Sequence, residues 1–151
     1  MEKRKIAIIA HDGKKAEMVA FLNQNKIFLQ HFKLIATGTT GNHVEESGFI
    51  VKKYKSGPLG GDAQIGSLVS EGKVAMVFFF RDPLGKHPHE PDVQMLMRLC
   101  DVHNIPLATN PATANHLIKG LAHAKQREIK PAGSTFLTKS EKKVLIGELI
   151  V

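Results

Sequence analysis

Five short apolar runs, each followed by a stretch with helical spacing, constrain this 151-residue chain more than any other feature. They are Lys5 to Ala10, Leu34 to Thr37, Ile50 to Lys55, Val74 to Phe80 and Ile105 to Thr109. Parallel strands need a crossover between them, so strands that alternate with helices argue for a parallel α/β sheet with helices on its faces. The helical stretches carry local markers. Asp12 suits a cap for the first, Gly48 and Gly72 suit ends for the second and third, and Pro91 and Pro111 suit first-turn positions. Apolar side chains recur at helical spacing as Met18, Phe21 and Leu22, as Ile65, Leu68 and Val69, and as Val93, Leu96 and Cys100. The expected architecture is a three-layer α/β/α, Rossmann-like domain. After about Gly120 the pattern weakens. Lys130 to Ser134 reads as a turn-rich linker, and Thr138 to Val151 reads equally as a helix capped by Ser140 or as a strand through Val144 to Val151.

One domain fits this length, and a separate substrate domain has no room. No apolar run approaches the roughly 18 residues of a membrane span. Met1 to Lys5 is charged, but Ile6 to Ala10 is too short for a signal-peptide core and no cleavage site of small residues follows, so a cytoplasmic protein without membrane association is expected. The single cysteine, Cys100, falls in an apolar helical pattern and reads as a buried structural thiol. The net charge of +7 is uneven: residues 119 to 151 hold seven Lys or Arg against three Glu, giving +4 of it. A basic balance suits an anionic ligand such as a phosphate ester. With no Trp, one Tyr and no recognition motif, nucleic acid is disfavoured.

In parallel sheets ligands bind beyond the carboxyl ends of the strands, near the point where strand order reverses. The polar residues that stand out all fall there: His11 and Asp12, then Thr37 to Asn42, then Ser56 to Asp62, then Arg81 to Asp92. Thr37, Gly38, Thr39, Thr40, Gly41 and Asn42 offer hydroxyls and unhindered N–H groups at the start of a helix, which suits an anion. Gly61 to Ser67 has the glycine spacing of a nucleotide loop without its lysine, and His11 to Lys14 lacks a dinucleotide fingerprint, which disfavours ATP and NAD. Asp62 follows the turn Gly57, Pro58, Leu59, Gly60, Gly61 and reads either as a helix cap or as a general base. His87, His89, Glu90 and Asp92 lie close in sequence, but Pro88 and Pro91 restrict the backbone and the spacing fits no familiar zinc pattern, so no metal is expected. His103, His116 and His123 read as ordinary surface or boundary residues.

Five ordered segments, IAIIAHD at 6 to 12, ATGTTGN at 36 to 42, SGPLGGDAQIG at 56 to 66, RDPLGKHPHEPDV at 81 to 93 and IPLATNPATA at 105 to 114, resemble the methylglyoxal synthase family. The resemblance spans about residues 5 to 118 and implies a cytoplasmic homohexamer with a five-stranded parallel sheet. It further implies conversion of dihydroxyacetone phosphate to methylglyoxal and inorganic phosphate without metal or organic cofactor, with inorganic phosphate as product and inhibitor. Residue by residue it implies Asp62 as the base and His89 as the donor to the enolate oxygen, with Asp92 completing the catalytic group. It implies a phosphate site at Lys15, Thr37, Gly38, Thr39 and Thr40, and other substrate contacts at Ser56, Gly57 and His11. Asp12, Asp82 and Asp92 are implied to orient histidines or adjust the base. Triosephosphate isomerase pairs a carboxylate base with a neutral imidazole on the same class of intermediate. The same fold serves as the allosteric domain of carbamoyl phosphate synthetase, so a non-catalytic effector-binding module is the alternative.

Residues 1–123 carry the expected catalytic domain, with 124–151 as a divergent basic segment. The resemblance stops at about Leu121. Family members draw a basic residue from a neighbour's C-terminal segment to the phosphate, and here Lys139, Lys142 and Lys143 are the candidates for that role. An ammonium cannot grip phosphate as a guanidinium fork does.

Overall fold

A computed structural model describes residues 4–128. The expectations for Lys130 to Ser134, for Thr138 to Val151 and for Lys139, Lys142 and Lys143 lie outside the described residues. The chain divides into two units, Met1–Lys119 and Gly120–Val151, and the sheet belongs to the first.

The elements run β1 (Lys5–Ala10), α1 (Lys15–Gln24), α2 (Lys26–Leu29), β2 (Lys33–Ala36), α3 (Gly38–Glu46), β3 (Val51–Lys53), α4 (Gly61–Ser70), β4 (Val74–Phe80), α5 (Glu90–Val102), β5 (Leu107–Ala108) and α6 (Pro111–Glu128), with 3₁₀ turns at Asp12–Lys14 and Gly57–Leu59. All five strands are parallel, in the order β3-β2-β1-β4-β5, as the alternating pattern required. The result is a three-layer, Rossmann-like α/β fold. Strand order reverses at β1, so the crevice favoured for ligands opens where β1 and β4 end.

Period-two alternation divides the central strands between the two helical layers. Ala7, Ile9, Val77 and Phe79 pack with Ile65 and Val69 of α4 and with Val93, Leu96 and Cys100 of α5. On the other face Phe21 of α1 meets Phe78 and Phe80, with ring centroids 5.1 and 5.5 Å apart. Phe78, Phe79 and Phe80 are all fully buried, and burial of each such side chain is worth about 1.5–3 kcal/mol. Cys100 is buried as expected, and that burial pushes its thiol up to about 11. His103, His116 and His123 are exposed. Among the described residues no helix is long and apolar enough to cross a membrane.

Strand ends differ from the sequence reading for local reasons. β5 is only Leu107–Ala108 rather than Ile105 to Thr109. Ile105 gives its N–H to Cys100 C=O (2.8 Å), completing the turn after α5, and Pro106 has no N–H to give a ladder. β3 ends before Lys55 because the Lys55 N–H is taken by Gln64 Oε1 at 2.9 Å. Asp12 does not cap α1. It opens the 3₁₀ turn, where its carboxylate pairs with Lys15 Nζ. Gly48 and Gly72 end their helices at φ of +89° and +72°, as expected.

Among the described glycines the closest approach to backbone is in the turn before α4. Gly60 sits at φ +98°, and a Cβ on Gly61 would lie 1.8 Å from Lys55 O. Only glycine lets the start of α4 pass so close under that carbonyl. Replacing Gly61 by Ala should therefore cost about 1–3 kcal/mol through forced backbone displacement. By contrast, Gly120→Ala on the open surface of α6, where nothing lies within 4 Å, should add about 0.5–1 kcal/mol. Urea unfolding midpoints of the two variants should move in opposite directions.

Candidate active site

A cavity of about 320 Å³ lies at the strand-order reversal, walled by the loops after β1, β2, β3 and β4. Of the sequence-predicted residues, His11, Asp12, Lys15, Thr37, Thr39, Gly57, Asp62 and His89 line it. Gly38, Thr40, Ser56 and Asp92 are not among its lining residues.

Asp62 occupies the first turn of α4, with only 1% of its surface exposed. No side chain caps α4, and neither Asp62 oxygen has a hydrogen-bond partner among the described residues. Asp62 therefore does not serve as a helix cap. Burial pushes its carboxyl above the ordinary range, with Asp92 adding in the same direction and His89 opposing. His89 Nε2 lies 3.6 Å from Asp62 Oδ2. Gly57 sits against both groups: a Cβ there would come within 3.1 Å of Asp62 Oδ2 and 3.1 Å of His89 Nε2. The loop thus brings bare backbone to the pair. His89 caps α5 by position, and its C=O accepts the Asp92 N–H at 2.9 Å.

His11, 6% exposed, follows β1 and continues its ladder by giving its N–H to Phe80 C=O at 3.1 Å. Its Nδ1 accepts the Asp82 N–H at 2.9 Å, so in the neutral ring the proton sits on Nε2, which has no partner among the described residues. Burial, then the neighbouring His87 and His89, lower its pKa to about 4. The Asp82 carboxylate orients no histidine. Its Oδ1 accepts the N–H groups of Leu84 and Gly85, at 3.1 and 3.2 Å, and shapes the loop instead. Asp12 likewise spends its charge on Lys15, which holds its carboxyl below the ordinary range.

Thr37 and Thr39, at the start of α3, line another part of the cavity. Thr37 precedes the helix with extended backbone, and the Gly38 N–H is spent on Lys55 C=O at 3.1 Å. First-turn N–H groups have no acceptor inside the helix, so the remaining donors are those of Thr39 and Thr40. Gly38 has no room for a side chain, since a Cβ would approach Tyr54 O and Ser56 N, each within 3.1 Å. The Thr40 hydroxyl accepts the Ala10 N–H and donates to Ala10 C=O, both at 3.2 Å, which latches α3 to the end of β1. The buried Lys15 supplies the cation.

His87, Lys86, Gly85 and Phe79 also line the cavity. His87 was visible only as a possible metal donor, and Glu90 of that cluster pairs with Arg81 at 3.2 Å instead. Among the described residues no three His, Cys, Asp or Glu are grouped to hold a metal ion.

Fold and cavity together define an α/β domain that gathers one buried carboxylate and three imidazoles in a cavity at the strand-order reversal. The family model described as the MGS-like domain matches residues 17–109. Methylglyoxal synthase of Borreliella afzelii (strain PKo) is 64% identical over 122 residues, covering 80% of this chain and 95% of the relative. Methylglyoxal synthase of Clostridium botulinum (strain Eklund 17B / Type B) is 55% identical over 116 residues, covering 76% and 98%. A crystal structure of methylglyoxal synthase from Elizabethkingia anophelis NUHP1 matches with a TM-score of 0.73 at 44% identity, covering 77% of each chain. This chain belongs to the methylglyoxal synthase family, a family of carbon–oxygen lyases.

An unbonded buried carboxylate costs stability in its ionised form. Because the folded-state value is raised, its contribution is most favourable at acid pH and is lost as pH rises through that value. Asp62→Asn should therefore unfold at a higher urea concentration than the parent at neutral pH, by about 1–3 kcal/mol. The gain should shrink as the pH falls through the raised folded-state value, below which the parent carboxyl is itself neutral.

Proposed function

We propose that this chain is a methylglyoxal synthase that acts on dihydroxyacetone phosphate, with Asp62 as general base and His89 as electrophile. Asp62 takes a proton from the hydroxymethyl carbon beside the ketone, and the electron pair moves toward the carbonyl oxygen, which accepts a hydrogen bond from His89 Nε2–H. The enediolate then expels phosphate. The hydroxyl proton leaves with the phosphate, the electrons of that O–H bond close an aldehyde at the former hydroxymethyl carbon, the C–O bond to phosphate breaks, and the enolate left behind becomes methylglyoxal when its methylene carbon takes up a proton, in balance with the one Asp62 removed.

The observation that carries this reading is a carboxylate 1% exposed, without a hydrogen bond, 3.6 Å from an imidazole. A raised carboxyl is better matched to abstraction of a carbon-bound proton than a solvated one. An effector-binding module has no use for such a group. Thr37, Gly38, Thr39, Thr40 and Lys15 hold the phosphate so that the breaking bond stands out of the enediolate plane, where overlap with the π system favours expulsion. Positioning, rather than an added reactive group, then separates this outcome from isomerisation. Ser56, Gly57 and His11 contact the triose, and Asp92 tunes the base from the start of α5, since its charge acts on Asp62. The same reading includes a cytoplasmic homohexamer in which residues 1–123 hold the chemistry, with inorganic phosphate as product and inhibitor and without metal or organic cofactor.

Purified protein incubated with dihydroxyacetone phosphate should release methylglyoxal and phosphate in equal amounts. Asp62→Asn should lower kcat by roughly 10² to 10⁴ with little change in KM. Turnover surviving intact in that variant would remove Asp62 from the role of base.

A further inference from the structure

Three imidazoles meet in the cavity, and the chemistry above has no task for His87. Its ring lies flat on that of His11, with centroids 3.6 Å apart and an interplanar angle of 16°. His89 stands edge-on to both, at 6.0 Å from His11 and 5.8 Å from His87. On its remaining side His11 meets Phe79 at 5.2 Å and 72°, so its ring is held between an aromatic edge and a parallel imidazole.

A single residue's main chain ties the stack together. The Asp82 N–H goes to His11 Nδ1 at 2.9 Å, while the Asp82 C=O lies 3.3 Å from His87 Nε2. A carbonyl only accepts, so His87 Nε2 must be the donor. Gly85 lets the loop close over this arrangement: a Cβ there would lie 3.0 Å from His87 Nε2 and 2.9 Å from Asp82 Oδ2. What the stack leaves without a hydrogen-bond partner among the described residues is the buried Nε2 of His11, a residue of the cavity wall.

We propose that His87 is a positioning residue that acts through His11: stacked on that ring, it fixes the plane in which the His11 Nε2–H is offered to a substrate oxygen. The inference rests on the function proposed above. His87 adds a second effect, because two parallel rings at this distance do not both carry charge at low cost. The groups facing His11 are His87, His89 and Arg81 from the loop after β4, Glu90 at the start of α5, and Asp12 next in the chain. Lys15 and Lys86 stand in the cavity wall, and the Asp82 carboxylate is turned to Leu84 and Gly85. His87 is the largest like-charge influence among them.

Two substitutions separate the ring from its chemistry. His87→Ala removes the stacking surface, and kcat should fall roughly 10- to 100-fold with KM changed far less. His87→Phe restores a flat ring and should recover most of that kcat. Imidazole nitrogen spectra should show parental His11 neutral in its Nε2–H tautomer down to about pH 5. In both variants its titration midpoint should move upward, which a ring serving only as filler would not cause. Parental kcat in His87→Ala, an unmoved midpoint in both variants, or an Nδ1–H tautomer of His11 in the parent would each overturn the proposal. If the parent makes no methylglyoxal at all, the functional reading fails separately, and the spectra still decide whether His87 governs His11.

Discussion

A carboxylate kept from water without a hydrogen bond is the unfavourable element around which this domain is arranged. Asp62 gives up solvation and gains no donor, so the surrounding chain must hold it there. The means are local and steric. Gly61 passes under the Lys55 carbonyl, Gly60 takes a left-handed conformation, and Gly57 brings bare backbone against both Asp62 and His89. Ile65 and Val69, one and two turns further along α4, anchor the helix in the core it shares with α5. The strained turn is thus tied to the largest apolar cluster on that face, and the penalty at the site is offset by packing elsewhere.

The layers of the fold were legible because their signal is periodic. Alternation of apolar runs with helical spacing reports which faces are buried, and the strands Lys5–Ala10 and Val74–Phe80 fall where that pattern puts them. Edges were less legible. At β5 the missing N–H of Pro106, and at β3 the side chain of Gln64, decide the ladder's end, and neither acts through hydrophobic pattern. The four rim loops were also legible, since parallel topology sends every strand's carboxyl end to one side. What those loops do with their polar groups was not. Asp12 and Asp82 looked like partners for histidines, but one is drawn to Lys15 and the other to the N–H groups of its own turn. Competition of that kind is decided by loop conformation, which spacing along a chain does not report. The His11–His87 stack was hidden for the same reason, as it joins residues 76 positions apart through the peptide of a third.

Charge in the cavity is divided by position. The buried Lys15 is paired with Asp12 beside the α3 amino end, whereas the pKa of His11 is lowered by burial and by its imidazole neighbours. A cationic ring beside Asp62 would draw its carboxyl back toward the acid range, and the base would lose the elevation that burial confers. A neutral His11 still has an Nε2–H to donate, so it offers a hydrogen bond without this cost.

The latch at Thr40 bears on how the domain comes together. Its hydroxyl joins the end of β1 to α3, and β1 in turn needs β4 on its other flank before the His11 N–H finds Phe80. Until the fourth strand docks, the turn that bears His11 and the loop that bears His87 and His89 have no common anchor, so the three rings reach their mutual packing only with that last pairing.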